Sequence, residues 1–256
     1  MKLHCIDIGI GIPIVFQHGL SSDSRQIQKL FYGINDYRVI CFDCPGHGQS
    51  LLENETTPSF DFYANLIINE LDKLGISSAI FGGLSMGAGL ALNISLRFPE
   101  RVKALLLHRP AWLDDKNPSN LNILNLALKY MDKVNGKQEF ETSQPYMLLH
   151  KELPLAANSV LGIFSDHQQH SLPQVIDSMV MSTPFSSIES LKEVEVPSLI
   201  LGNDNDPLHP FRMAEIIHKN ITGSTLYKIT SRYINPILHR DEVQSHILKF
   251  IKNTIK

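Results

Sequence analysis

The residues in this chain best placed to do chemistry are Gly83-Leu84-Ser85-Met86-Gly87, a serine with a glycine two positions away on each side. A serine hydroxyl is a weak nucleophile at neutral pH. It attacks a carbonyl usefully only where a base takes its proton and fixed N–H groups meet the oxyanion that forms. Upstream, Ser78 to Phe81 is short, apolar and strand-like, and downstream Met86 to Leu96 is rich in Ala, Leu and Ile as a buried helix would be. A serine between them sits on a sharp strand-to-helix turn, where backbone approaches backbone and Gly83 and Gly87 avoid the clash of a Cβ. The helix that follows aims its first amides at the same point, which makes the Met86 N–H a candidate oxyanion donor. The competing reading is a glycine-rich turn with an incidental serine, and the surrounding chain decides between them.

The elements that must position this turn follow in order. Lys2 to Ile8 and Ile12 to Phe16 read as strands joined by a Gly9-Ile10-Gly11 hairpin turn; a dinucleotide fingerprint would need a third glycine and a helix. The second strand ends in Gln17-His18-Gly19-Leu20, and Ser21 to Ser24 offers caps for a helix over Arg25 to Tyr32. A strand end beside the nucleophile's turn is where a second oxyanion donor belongs, and the Leu20 amide is the candidate. Tyr37 to Phe42 is a third strand, closed by the turn cluster Asp43 to Ser50. A helix over Phe60 to Leu74, capped by Ser59, leads to the serine turn, and Val102 to Leu107 is a further buried strand. Alternation this regular predicts a parallel sheet with helices on both faces.

Between Pro110 and about Ser190 the alternation stops. Helical periodicity over Leu121 to Val134 and Gln138 to Leu153, broken at Pro145 and Pro154, reads as a helical insertion. The alternation then resumes with strands at Val196 to Leu201 and Thr225 to Ile229 and helices over Pro210 to Lys219 and Asp241 to Lys252. The expected fold is therefore a single α/β domain over residues 1–256, a doubly wound and mostly parallel sheet, with core 1–110 and 191–256 and a helical cap over 111–190.

Composition narrows the function classes. At 256 residues with 43% hydrophobic, the chain can bury a large core, and a net charge of −3 lacks the basic face that collects phosphate backbones, so no nucleic-acid partner is expected. No apolar run approaches the roughly 20 residues of a membrane helix, and the N-terminus lacks a secretory apolar segment, which points to a cytoplasmic protein with no membrane span. Three cysteines do not make a disulfide framework. Cys41-Phe42-Asp43-Cys44 is formally a CxxC. A redox site would want Cys41 at a helix N-terminus and a zinc site a second ligand pair; neither is present, so no metal and no cofactor are expected. The pair His167 and His170 has helical spacing for a metal but reads as solvated surface.

Five motifs carry a family resemblance: FQHGL at 16–20, DCPGHGQS at 43–50, GLSMG at 83–87, RFPERVKALLL at 97–107 and LGNDNDPLHP at 201–210. On these the chain resembles the α/β-hydrolase superfamily over essentially its whole length. The resemblance implies a helical cap and catalytic residues in the chain order Ser, Asp, His. It places the acid at Asp206, with Asp204 two residues away as the alternative, and the base at His239, just before the last helix. The other histidines are weaker candidates for the base: His18 and His47 fit motif turns, and His209 is too near the acid's own loop. One departure is the apolar stretch YINPILH over 233–239, where the family carries a short polar loop.

Together these readings predict acyl transfer through a serine ester, with Ser85, His239 and Asp206 as the triad and the Leu20 and Met86 amides as the oxyanion hole. His18, Arg109 and the single tryptophan Trp112 are the substrate-contact candidates, Arg109 and Trp112 because they leave a strand's C-terminal end, where such sheets bind ligands. For Arg109 the alternative is an ion pair with Asp114 or Asp115. Cap residues such as Leu121, Leu124, Leu128, Met147, Leu149, Phe164, Met179 and Met181 suggest a small apolar ester as substrate. Ser85 argues against haloalkane and epoxide hydrolysis, which need a carboxylate at the elbow. Acyl transfer to another acceptor, C–C bond hydrolysis, and a ligand receptor retaining the site are the alternatives.

Overall fold

The computed structural model describes residues 1–34, 36–164 and 171–254. Among them seven strands form one sheet: β1 (Cys5–Ile8), β2 (Ile12–Gln17), β3 (Tyr37–Phe42), β4 (Ala79–Leu84), β5 (Val102–His108), β6 (Ser198–Gly202) and β7 (Thr225–Lys228). Their order is β1-β3-β2-β4-β5-β6-β7, with β1 antiparallel to β3 and every other pair parallel. The helices of the sheet are α1 (Ser24–Leu30), α2 (Phe60–Lys73) and α3 (Met86–Arg97). Between β5 and β6 lie α4 (Asn122–Met131), α5 (Gly136–Glu141), α6 (Gln144–Glu152), α7 (Pro154–Leu161) and α8 (Leu172–Val180). After β6 come α9 (Phe211–Asn220) and, closing the chain, α10 (Pro236–Thr254).

Strand periodicity sorts the core into two layers. Ile14 and Phe16, Val39 and Cys41, Ile80 and Leu84, Ala104 and Leu106, Leu199 and Leu201 face one side, where they pack with Ile27 and Phe31 and with Val243, Ile247 and Ile251 of α10. The last three recur every four residues, as one stripe of a helix must. The intervening residues, among them Val15, Ile40, Phe81, Leu105, Leu107 and Ile200, face the other side under α2 and α3, in a cluster continuous with the cap's own core. Because both faces are covered, β4 is buried at all six positions.

Two expectations change. The Gly9 to Gly11 turn does not make a hairpin, because β3 lies between β1 and β2. β3 is fully buried from Val39 to Phe42 and needs ladder partners on both edges, whereas β1 is half exposed and suits the sheet's edge. The last helix starts at Pro236, five residues before the expected Asp241. The Asn235 side chain accepts from the Leu238 amide at 3.0 Å, so Asn-Pro is a helix cap followed by proline at the first helical position. The apolar stretch before His239 is thus the first turn of a helix.

Candidate active site

Parallel strands deliver their C-terminal ends to one edge of the sheet, and the candidate site is built there from five loops. β4 supplies Ser85, whose backbone sits at φ +58° and ψ −112°, a conformation L residues rarely adopt. Such strain costs on the order of 1–3 kcal/mol and survives only where the surroundings dictate it. Here the Ser85 amide donates to the His108 carbonyl at 3.0 Å, while its own carbonyl accepts from the Ala88 and Gly89 amides. A Cβ on Gly83 would lie 2.3 Å from the Gly87 backbone, and one on Gly87 would lie 2.2 Å from the Gln17 carbonyl oxygen. The two glycines are therefore what lets β4, α3 and the end of β2 meet.

The Ser85 hydroxyl is 2.9 Å from His209 Nε2, and His209 Nδ1 is 2.8 Å from Asp206 Oδ1. This is where structure and expectation part. The histidine against Ser85 is His209, not His239. Asp206 opens a turn in which the His209 amide donates back to the Asp206 carbonyl and Pro207 holds the second position. The turn folds the imidazole onto the carboxylate only three residues upstream, so proximity in sequence is what pairs them. His239, in the first turn of α10, instead donates from Nδ1 to the Thr230 carbonyl at 2.6 Å. Its Nε2 is thereby an acceptor, and His108 Nε2 donates to it at 3.2 Å. Asp204, the alternative acid, points away to an exposed ion pair with Lys228.

The charges of the three groups fit their arrangement. Ser85, His209 and Asp206 are 8%, 7% and 5% exposed. Burial raises the Asp206 pKa, but the His209 and Arg109 charges and two hydrogen bonds from His209 outweigh it and hold the carboxyl below its ordinary range. Burial lowers the His209 pKa, and Arg109 and Arg232 lower it further, against the pull of Asp206. His209 is accordingly neutral at pH 7, its proton on Nδ1 toward Asp206 and its Nε2 lone pair toward the serine. His239 is pushed down to about 4, by burial first and then by Arg109.

Leu20 lines the cavity next to Ser85, and Met86 opens α3 with its amide at the helix N-terminus. His18 is fully buried and does not line that cavity. Its Nδ1 donates to the Gly19 carbonyl at 2.9 Å, and its Nε2 accepts from the Cys44 amide at 3.0 Å. It is a strut that fixes the Gly19-Leu20 turn against the loop after β3, which corrects its assignment to substrate contact.

Arg109 and Trp112 do line the cavity, which measures about 90 Å³ and has Leu121, Leu124, Val160 and Ile163 of the cap on its wall. Trp112 Nε1 donates to the Met179 carbonyl at 3.2 Å, and its ring packs edge-on against Phe60. Arg109 faces Asp206, with Nε 3.4 Å from Oδ2, and not the cap carboxylates Asp114 or Asp115. Met147 and Met181, named with the apolar cap residues, are about half exposed. Sequence reasoning missed Arg232, which reaches the cavity from the loop after β7, and Gln26, which also accepts from the Gly19 amide at 3.0 Å. Cys41 and Cys44 are buried free thiols, raised in pKa by burial. Among the described residues no group of three or more His, Cys, Asp or Glu could hold a metal; His167 and His170 lie outside them.

The chain matches the model of the alpha/beta hydrolase fold family over residues 12–231, and it belongs to that family. It is thus an enzyme of α/β-hydrolase type, with a helical cap between β5 and β6 and a small molecule as its substrate class. Among curated relatives, it is 35% identical over 228 residues to a putative non-heme haloperoxidase of Mycobacterium phage D29, covering 87% of this chain and 81% of that one. It is 28% identical to the bifunctional esterase/perhydrolase DCH of Acinetobacter calcoaceticus, covering 78% and 76%. Among solved structures, MenH from S. aureus aligns with a TM-score of 0.76 at 23% identity over 99% of both chains, a likeness of fold. Among the described residues no helix is long and apolar enough to cross a membrane.

Proposed function

We propose that the protein is a serine hydrolase of small esters, with Ser85 as nucleophile, His209 as base and Asp206 as the acid that orients it. The observation that carries this reading is the unbroken hydrogen-bond chain from Ser85 Oγ through His209 to Asp206, at 2.9 and 2.8 Å. His209 Nε2 takes the Ser85 proton as Oγ attacks the carbonyl, and Asp206 steadies the imidazolium. The Leu20 and Met86 amides receive the oxyanion, at the strand end after β2 and the N-terminus of α3. His209 returns its proton to the leaving alcohol, leaving an acyl-serine, and then takes one from the water that hydrolyses it. The cap helices wall the cavity with apolar side chains and limit both substrate size and water access. A relative named as an esterase and perhydrolase agrees with acyl chemistry at this site.

The test is labelling with a fluorophosphonate probe and mapping of the modified peptide. Labelling at Ser85, lost in Ser85→Ala and accompanied by turnover of p-nitrophenyl acetate by the parent, is the expected result. A folded parent protein that neither labels nor hydrolyses would overturn the reading.

A further inference from the structure

The described wall of the cavity beside Ser85 carries more positive than negative charge. Arg109 is 3% exposed, and its Nε and Nη1 atoms have no hydrogen-bond partner, nor does Oδ2 of Asp206 opposite. Arg232, on the same wall, makes no hydrogen bond among the described residues; its guanidinium lies 5.5 Å from the Tyr233 ring centre and that of Arg109 5.8 Å. The two cations thus flank one aromatic ring. The carboxylate that acts on both is Asp206, already engaged by His209, and His209 itself is held neutral. Two guanidiniums against one carboxylate leave about one uncompensated positive charge on the cavity wall, with Arg109 buried and Arg232 half-buried. A buried charge without a partner is costly, and a buried donor without an acceptor more so. A fold keeps such a group where something else supplies the missing partner.

We propose that this partner is the substrate: a small ester bearing a carboxylate a few bonds from the scissile carbonyl, held by Arg109 with Arg232 while Ser85 attacks. The proposal rests on the serine-hydrolase reading above and replaces the apolar ester expected from the cap. With Nε turned to Asp206, Arg109 still has Nη1 without a partner, and a guanidinium donor of this kind suits a carboxylate. The cavity measures about 90 Å³ and opens toward solvent, which favours a short span between the anion and the ester. Trp112, Leu121 and Leu124 would enclose the short carbon chain between them.

The test compares isosteric esters by pH-stat hydrolysis. Monomethyl succinate carries the carboxylate in the acyl half and methyl levulinate is its neutral counterpart; 3-acetoxypropanoate and 4-acetoxybutan-2-one form the same pair for the alcohol half. At least one carboxylated ester should exceed its neutral counterpart by tenfold or more in kcat/KM, mostly through KM. Arg109→Gln should shrink that ratio to below threefold, whatever it does to the absolute rates. Because Arg109 also faces Asp206, the ratio is the quantity to read. Calorimetric binding to Ser85→Ala provides a measurement free of turnover, with monomethyl succinate binding and methyl levulinate not. A parent enzyme that hydrolyses all four esters with no preference for charge, or a preference that survives in both Arg109→Gln and Arg232→Gln, overturns the carboxylate subsite and leaves the serine hydrolase standing. No turnover and no fluorophosphonate labelling would remove both.

Discussion

Exchanging the roles of His209 and His239 is the sharpest perturbation this site offers. The Ser85 hydroxyl has one described acceptor, His209 Nε2 at 2.9 Å. In His209→Gln no imidazole remains to take its proton, and the residual rate should come from the oxyanion amides and binding alone. Loss of a triad member typically lowers kcat by about 10⁴ to 10⁶-fold. The lower figure corresponds to about 5.4 kcal/mol of transition-state stabilisation at 1.36 kcal/mol per decade. His239→Gln removes a ring bonded to Thr230 and His108 and to nothing in the triad. It should keep kcat/KM within about tenfold and lose on the order of 1–3 kcal/mol of stability instead, as buried donors and acceptors go unpaired. Ester hydrolysis, fluorophosphonate titration of active sites and thermal unfolding, run on both variants, separate chemistry from folding. If folded His239→Gln loses four decades while His209→Gln stays within one, the base is His239 and the assignment built on these distances is wrong.

Asp206→Asn should cost about 10⁴-fold in kcat by freeing the wrong imidazole tautomer, whereas Asp204→Asn, at an exposed ion pair with Lys228, should leave the rate within about twofold in the same assay. Gly87→Ala forces a Cβ to 2.2 Å from the Gln17 carbonyl and should lower stability by at least 1–3 kcal/mol, read as a fall in Tm. Stability should fall as pH drops from about 6.5 to about 4: His239 has a folded pKa near 4 against an ordinary 6.5, so over that window the unfolded chain binds the extra proton. The slope of unfolding free energy against pH should be shallower in His239→Gln, and an unchanged slope would exclude His239 as a source.

The elbow was readable in the sequence because the contact that demands Gly83 is with Gly87, four residues on, and local constraints leave local signatures; Gly87 is demanded in turn by the Gln17 backbone at the end of β2. The two-layer core was readable for the same reason, since the alternation in Ile14, Val15, Phe16 and in Val39, Ile40, Cys41, Phe42 maps directly onto the two faces. The histidine beside Ser85 was misplaced because the resemblance put weight on chain position, while the turn chemistry of Asp206-Pro207-Leu208-His209 already pointed to a side chain folded back on Asp206. Asn235-Pro236 likewise marks a helix start that the apolar residues after it obscured. The pairing of β1 with β3 and the arrival of Arg232 beside Arg109 left no local trace, because each depends on how distant strands order themselves in the sheet.

The last loop thus supplies a cation to the site where the base was expected, and this has a consequence for pH dependence. His209 faces Asp206 on its own loop, Ser85 from the β4 turn, Arg109 from the end of β5 and Arg232 from the loop after β7; the two guanidiniums lower its pKa and Asp206 raises it. A carboxylate bound between the guanidiniums would cancel part of their effect and raise the basicity of His209 in the complex. For monomethyl succinate the acid limb of kcat should therefore lie at higher pH than that of kcat/KM, because kcat reports the complex and kcat/KM the free enzyme. The succinyl half keeps its carboxylate in the acyl-enzyme, so the shift holds whether acylation or deacylation limits kcat. With methyl levulinate, which brings no charge, the two limbs should coincide. Coincident limbs for both esters would show that the charge of the substrate does not reach His209, and the guanidiniums would then have no part in tuning the base through what they bind.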